Sequence, residues 1–288
     1  QWFLLHQALD MATLAIQKSP KVINIPSQSI TVSIYKILGP QYRENYYIER
    51  EVHKEMMTMI NIKKDPNDFA SREKLVKLYM QERHYYEALV HSAEYEKIMQ
   101  MKSRSLYRQK LGEIAMRKAS IFQAMIDHYF KIRTGAEDEG VSKVAELGKL
   151  GKFITRFNRD NRRINIVPLK GLDSLSLNKT LISMVTITNT FYAEAAQVDQ
   201  FPLKHKALFF TARNNYQFDN TKGALKNLAE GVRMLDLSRM PAPQRATEKL
   251  KFLEFQFKIY SEIGHQRKAD ETNQEIGKIR RAKRSAGG

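Results

Sequence analysis

Phe122, Met125, Ile126, Tyr129 and Phe130 recur at i, i+3, i+4, i+7 and i+8. Five large apolar groups at that spacing share one stripe of an α-helix and no single face of a strand, so the chain must bury helices. Leu75, Leu78 and Tyr79 begin a similar stripe behind the turn-like Asp65-Pro66-Asn67-Asp68, and Leu89, Val90 and Ala93 form another. Leu181, Met184, Val185, Thr188 and Tyr192 keep the same period. Tandem helices with short breaks are predicted from about Arg43 to Arg133. The fold class is all-α, built of antiparallel helical hairpins.

Two proline-bounded stretches interrupt the pattern. Pro20-Lys21-Val22-Ile23-Asn24-Ile25-Pro26 and Asn165-Ile166-Val167-Pro168 are β-branched and end in proline, which biases the preceding residue away from helix. Both are predicted as short extended connectors. Ser29-Ile30-Thr31-Val32-Ser33-Ile34 alternates polar and apolar residues and predicts a short strand. Gly135 and Gly140 bracket an acidic loop that reads as a hinge. The expected organisation is an N-terminal helical region over 1–134, a hinge at 135–140 and a basic helical region over 141–288.

A degenerate tetratricopeptide-like repeat is visible. Such units are helix–turn–helix pairs carrying an aromatic and, nine positions later, the small residue that close helix approach demands. Tyr79 and Ala88 have that spacing; Tyr260, Gly264 and Ala269 match the aromatic, the turn glycine and the alanine together. Ala224 and Gly231 supply a third pair of small positions, but their aromatic, Tyr216, stands one residue out of phase.

Composition narrows the chemistry. Among 288 residues there is no cysteine, which excludes a disulfide scaffold, a thiolate zinc site and a cysteine nucleophile. The formal net charge is +17, of which residues 1–144 carry +5 and residues 145–288 carry +12. Lys149, Lys152, Arg156, Arg159, Arg162 and Arg163 make one basic run, and Lys278, Arg280, Arg281, Lys283 and Arg284 another. An acidic protein surface, nucleic acid or an anionic membrane face would each be attracted; a solvated face with a frayed basic tail is the plain alternative. The 14 uncharged residues from Thr180 to Ala193 are too few and too polar to span a bilayer. Position 1 is Gln rather than Met, which fits a cleaved targeting segment and equally a disordered or a trimmed start. Ser285-Ala286-Gly287-Gly288 reads as a flexible end.

No catalytic constellation emerges, so no enzyme class, cofactor or metal is expected. None of the seven histidines shows the HExxH arrangement; His84 and His91 share a helical face without a third ligand of suitable spacing. Glu137-Asp138-Glu139 lacks the alternating ligands of a calcium loop, and Gly148 and Gly151 are too little for a phosphate loop. The aromatics say more. Tyr42, Arg43, Tyr46, Tyr47 and Arg50 form a tyrosine–arginine patch, and His84, Tyr85 and Tyr86 another. Such groups serve protein interfaces, single-stranded bases or plain core packing. The partner-binding candidates are that first patch together with Arg156, Arg159, Arg162 and Arg163.

The amphipathic opening Leu4-Leu5-His6-Gln7-Ala8-Leu9-Asp10-Met11-Ala12, the hairpin Leu75 to Ile98 and the C-terminal unit Leu253 to Ile279 carry a resemblance. On them the chain resembles the flagellar-coiling protein A family of spirochetes. That resemblance implies a periplasmic protein, secreted behind a removed signal peptide, that joins the sheath of the periplasmic flagellar filament. Its partners would be the flagellin core, other sheath proteins and further copies of itself in a lattice, and the sheath would impose the coiling that motility needs. It brings no catalytic signature and no functional residue. The competing expectation from the repeats is a cytoplasmic adaptor holding a protein or peptide; nucleic-acid binding ranks below both.

Overall fold

The computed structural model describes residues 2–18, 25–38, 40, 43–135, 142–161, 164–171, 173–198 and 203–285. Among them are twelve α-helices and no strand: α1 (Trp2–Lys18), α2 (Ile25–Leu38), α3 (Arg43–Lys64), α4 (Phe69–Gln81), α5 (Tyr85–Lys102), α6 (Arg104–Thr134), α7 (Lys143–Asp160), α8 (Ser174–Gln197), α9 (Lys204–Gln217), α10 (Thr221–Asp236), α11 (Ala242–Glu262) and α12 (Gln266–Ser285). The chain divides into two compact units, Gln1–Met101 and Lys102–Gly288. No described helix is long and apolar enough to cross a membrane.

In the first unit, α1 packs on α2, α2 on α3 and α3 on α4. Leu9, Ile34 and Leu38 form the seam between α1 and α2. Pro26 and Ser29–Ile34 therefore lie in a helix, which corrects the expected connector and strand. Thr31, Ile34 and Leu38 are buried at helical spacing while Ile30 and Ile37 face solvent, so the alternation was a short-window coincidence. Pro26 occupies the first turn, where its missing N–H forfeits no helical bond. Residues 20–24 lie outside the described residues. In α4, Leu75, Leu78 and Tyr79 are buried as predicted. The α5 stripe is shifted: Ala88, Ser92, Tyr95 and Met99 go inside at helical spacing, Leu89 is half-buried, and Val90 and Ala93 are exposed. Arg72, nearly fully buried, pairs with Glu94 and donates to the Pro66 carbonyl at 3.1 Å, tying α4 to α5.

Three hairpins close through one backbone pattern. After α4 the N–H of His84 reaches the Tyr79 carbonyl at 2.8 Å, and that of Ala88 reaches His84 at 3.1 Å. Between α9 and α10 the same bonds run from Asn220 to Asn215 at 2.8 Å and from Ala224 to Asn220 at 3.0 Å. Between α11 and α12 they run from His265 to Tyr260 at 2.8 Å and from Ala269 to His265 at 3.1 Å. The residue before each closing amide is left-handed: Arg83 at φ 62°, Asp219 at 64° and Gly264 at 72°. Ala88, Ala224 and Ala269 are buried. The middle hairpin thus keeps the repeat spacing with Asn215 in the aromatic slot. Closure uses only that residue's carbonyl, so Tyr216 is free to sit one place later.

The second unit is organised by α6, whose 31 residues pack along α8. Phe122, with no exposure, meets Phe157 edge-on at 5.4 Å and Phe153 at 6.2 Å, and lies 5.9 Å from Phe191. From α8 onward each helix packs on the next through α12. Small residues let α6, α8 and α9 approach, through Ala115, Ala119, Ala195 and Ala207 around Tyr192. Phe252, Leu228, Leu235 and Ile259 fill the seam of α10 and α11. Because α6 belongs with α8, the units meet at Met101/Lys102, which differs from the predicted division at 135–140. Gly135 is the left-handed cap that ends α6, and 136–140 lie outside the described residues. The basic run near the end is helical rather than frayed: Arg280 pairs with Glu254 at 2.8 Å and Lys283 donates to Thr247 at 3.0 Å, both on α11. Residues 286–288 of the expected flexible end are outside the described residues.

Candidate partner-binding surface

The basic run of residues 149–159 folds as α7, and its periodicity sorts it into two faces. Leu147, Leu150, Phe153, Ile154 and Phe157 are buried. Lys149, Lys152, Arg156 and Arg159, at i, i+3, i+7 and i+10, form an exposed stripe on the other side. The Ser142 hydroxyl caps the helix by accepting from Ala145 at 3.4 Å. One turn in, Glu146 is buried against α6, where its Oε2 lies 2.9 Å from His128 Nε2 while Lys149 donates to Oε1 at 2.6 Å. Burial pushes the Glu146 carboxyl up, but the bonds from Lys149 and His128 outweigh it and hold the group below the ordinary carboxylate range. Tyr129 donates to the Glu146 carbonyl at 3.3 Å. These contacts fix the rotation of α7, and so which way its cations face.

Residues 164–171 form a connector without helix or strand beside α7, and side chains supply the partners that secondary structure would otherwise give. Asn158 accepts from the Ile166 N–H and donates to the Ile166 carbonyl, both at 2.8 Å. Val167 donates to Ser183 at 2.9 Å and accepts from Thr180 at 3.0 Å, and the Lys170 N–H reaches Ser176 at 2.8 Å. Ile166 is buried beneath. Such pairing of main-chain groups is what lets an irregular segment lie against a core. Between this strap and α7 lies a groove of about 430 Å³, lined by Gly148, Gly151, Lys152, Ile154, Thr155, Arg156, Pro168 and Leu169.

The predicted residues fall into separate places. Arg156 and Arg159 stand on the exposed stripe, with Arg159 2.9 Å from Asp160. Arg162 and Arg163 lie outside the described residues. In the first unit, Arg43 is exposed at the start of α3 and Arg50 half-buried farther along it. Tyr46 and Tyr47 belong to the same helix, their side chains outside the description, and Tyr42 precedes the described residues there. His84 and His91 flank Tyr79, with ring centroids 6.1 and 5.6 Å from it. Among the described residues no three His, Asp or Glu side chains gather at metal-binding distance. Sequence reasoning missed the Asn158 clamp, the Glu146–His128 pair and the groove. Lys152, by contrast, was visible in the basic run.

No protein-family model matches the chain, and no curated protein matches it. The surface stands on its own chemistry: an exposed cationic stripe beside an open groove.

One buried histidine should make the stability of the second unit depend on pH. His205 on α9 packs 6.5 Å from the Phe252 ring, with its Nε2 3.7 Å from Glu248 and beyond hydrogen-bond reach. Burial lowers its pKa; Glu248 opposes this, while Lys206 and Lys251 add to it. Below the ordinary imidazole value, about 6.5, the unfolded chain takes the proton before the folded one. Stability present above that pH is lost as pH falls, by up to about 1.4 kcal/mol per pH unit while only the unfolded chain is protonated. The melting temperature should therefore drop between pH 7.5 and 5.5, and His205→Phe should flatten the dependence. An unchanged slope in that variant would refute the assignment.

Proposed function

We propose that the chain is a non-enzymatic structural protein, a sheath component of the periplasmic flagellar filament that assembles on the flagellin core and promotes coiling and motility. The observation that carries this reading is the basic stripe of α7, held in rotation by the Glu146–His128 pair, in a unit whose helices α8 to α12 pack in series. An assembly subunit needs stiffness and several modest contacts, because neighbours fixed in a lattice multiply weak affinities. A cationic stripe suits an acidic neighbour, whether the flagellin core, another sheath protein or another copy of this chain. The second reading is a cytoplasmic adaptor, favoured by the three hairpins that share the tetratricopeptide-like closure.

Charge reversal tests the docking face. Arg156→Glu combined with Arg159→Glu should weaken co-sedimentation with native filaments roughly tenfold, equivalent to about 1.4 kcal/mol. Added salt should weaken the parent chain in the same direction. Both side chains are exposed, so thermal melting should hardly change. Undiminished co-sedimentation, with the fold intact, would remove the sheath reading. Labelling of this chain in the cytoplasm with none on filaments would favour the adaptor.

A further inference from the structure

We propose that the groove between α7 and residues 164–171 binds an extended acidic peptide from a protein partner. An aliphatic side chain would lie over Gly148 and Gly151, with flanking carboxylates on Lys152 and Arg156. The proposal deepens the docking reading above and rests on it, by naming what the basic face grips.

The cavity itself comes first. Its volume of about 430 Å³ lies within the range of small-ligand and peptide-side-chain sites, and no acidic residue lines it. Its cations are Lys152 and Arg156, adjacent on the exposed stripe. Lys149 is engaged with Glu146 at 2.6 Å and Arg159 with Asp160 at 2.9 Å, and Arg156 too has an interaction within the chain. Lys152 is exposed and makes no ion pair among the described residues. With that cation on its wall and no acid in its lining, the groove is complementary to an acidic occupant.

The walls explain why the occupant should be extended and partly apolar. Ile154 and Leu169 give the trough hydrocarbon, and the Thr155 hydroxyl is spent on the Gly151 carbonyl at 2.9 Å. Gly148 and Gly151 leave the helix surface bare, and a Cβ added at either meets nothing within 4 Å. Neither has the positive φ that would require glycine. Glycine inside a helix is unfavourable relative to alanine, so the fold keeps open a space that it does not itself fill. The connector alongside shows that non-helical chain fits against α7 in this place, held by side-chain bonds to its backbone.

The experiment uses the full chain and a fluorescein-labelled decapeptide of aspartates and glutamates with two central leucines, followed by anisotropy at about 50 mM salt. Saturable binding is expected, with at least a tenfold loss in Lys152→Glu/Arg156→Glu and in Gly151→Leu. Gly151→Leu fills the trough without changing charge and should melt no lower than the parent. A control peptide with Gln and Asn in place of the acids should not bind. The proposal is overturned if the parent chain does not bind the acidic peptide, if the neutral peptide binds equally, or if folded Gly151→Leu binds normally. It is also overturned if oligothymidylate, and not the peptide, shows the Gly151→Leu sensitivity. Peptide binding with unaltered filament co-sedimentation of the Arg156/Arg159 variant would remove the sheath reading alone. Loss of co-sedimentation without peptide binding would remove the groove alone.

Discussion

Gly231→Ala is expected to lower the melting temperature of the second unit, although alanine is the better helix former. A Cβ at position 231 would stand 2.0 Å from Phe252 Cε1 and within 2.8 Å of two further ring carbons. The ring cannot swing away. Phe252 is 1% exposed, packed edge-on against Phe209 at 5.1 Å and backed by His205. Overpacking of this kind costs about 1–3 kcal/mol, and so severe a clash belongs at the upper end, above the ~1 kcal/mol gained in helix propensity. The net loss should be about 2 kcal/mol, or roughly 4–8 °C for a unit of this size. Phe252→Leu should relieve the clash, so the double variant should be more stable than the sum of the two single losses by about 1 kcal/mol or more. Strict additivity in thermal melts would show that the two residues do not meet.

Phe122→Ala should cost more. The side chain has no exposure and joins α6 to Phe153 and Phe157 on α7 and to Phe191 on α8. Truncating a buried phenylalanine typically costs 3–5 kcal/mol, by lost transfer energy and by the cavity left behind. A drop of roughly 10 °C or more is expected. On the proposed sheath reading, residual folded protein should also lose filament affinity because α7 carries the basic stripe, whereas Phe122→Leu should keep most of both. A shift below about 3 °C for Phe122→Ala would place this residue outside the core.

Legibility followed the size and number of repeated signals. The Phe122–Phe130 stripe was readable because five bulky groups at one period leave no alternative face, and the structure buries Phe122, Met125, Ile126 and Tyr129. Ser29–Ile34 was misread because six residues cannot separate a period of 2 from one of 3.6, and because Thr31, polar by composition, is buried. The middle hairpin was half hidden, since its closure depends on the Asn215 carbonyl, a group that every residue possesses. The cationic stripe was legible as a charge run. The groove beside it was not, for it arises when Asn158 grips the backbone of Ile166, and side-chain-to-backbone bonds leave no periodic trace. The compact units divide elsewhere than at the glycines for a related reason: glycines mark where a chain can bend, while packing between α6 and α8 decides which helices belong together.

The uninterrupted 31 residues of α6 amount to a built-in ruler. At 1.5 Å per residue the distance from its Ser103 cap to its Gly135 cap is about 48 Å, set by helix geometry and insensitive to the side chains along it. Anything gripped near one end is thereby held at a fixed span from anything gripped near the other. In a repeating assembly, such a span would enter the lattice spacing directly. Inserting or deleting residues in α6 would then alter the pitch of the array as well as the stability of the subunit.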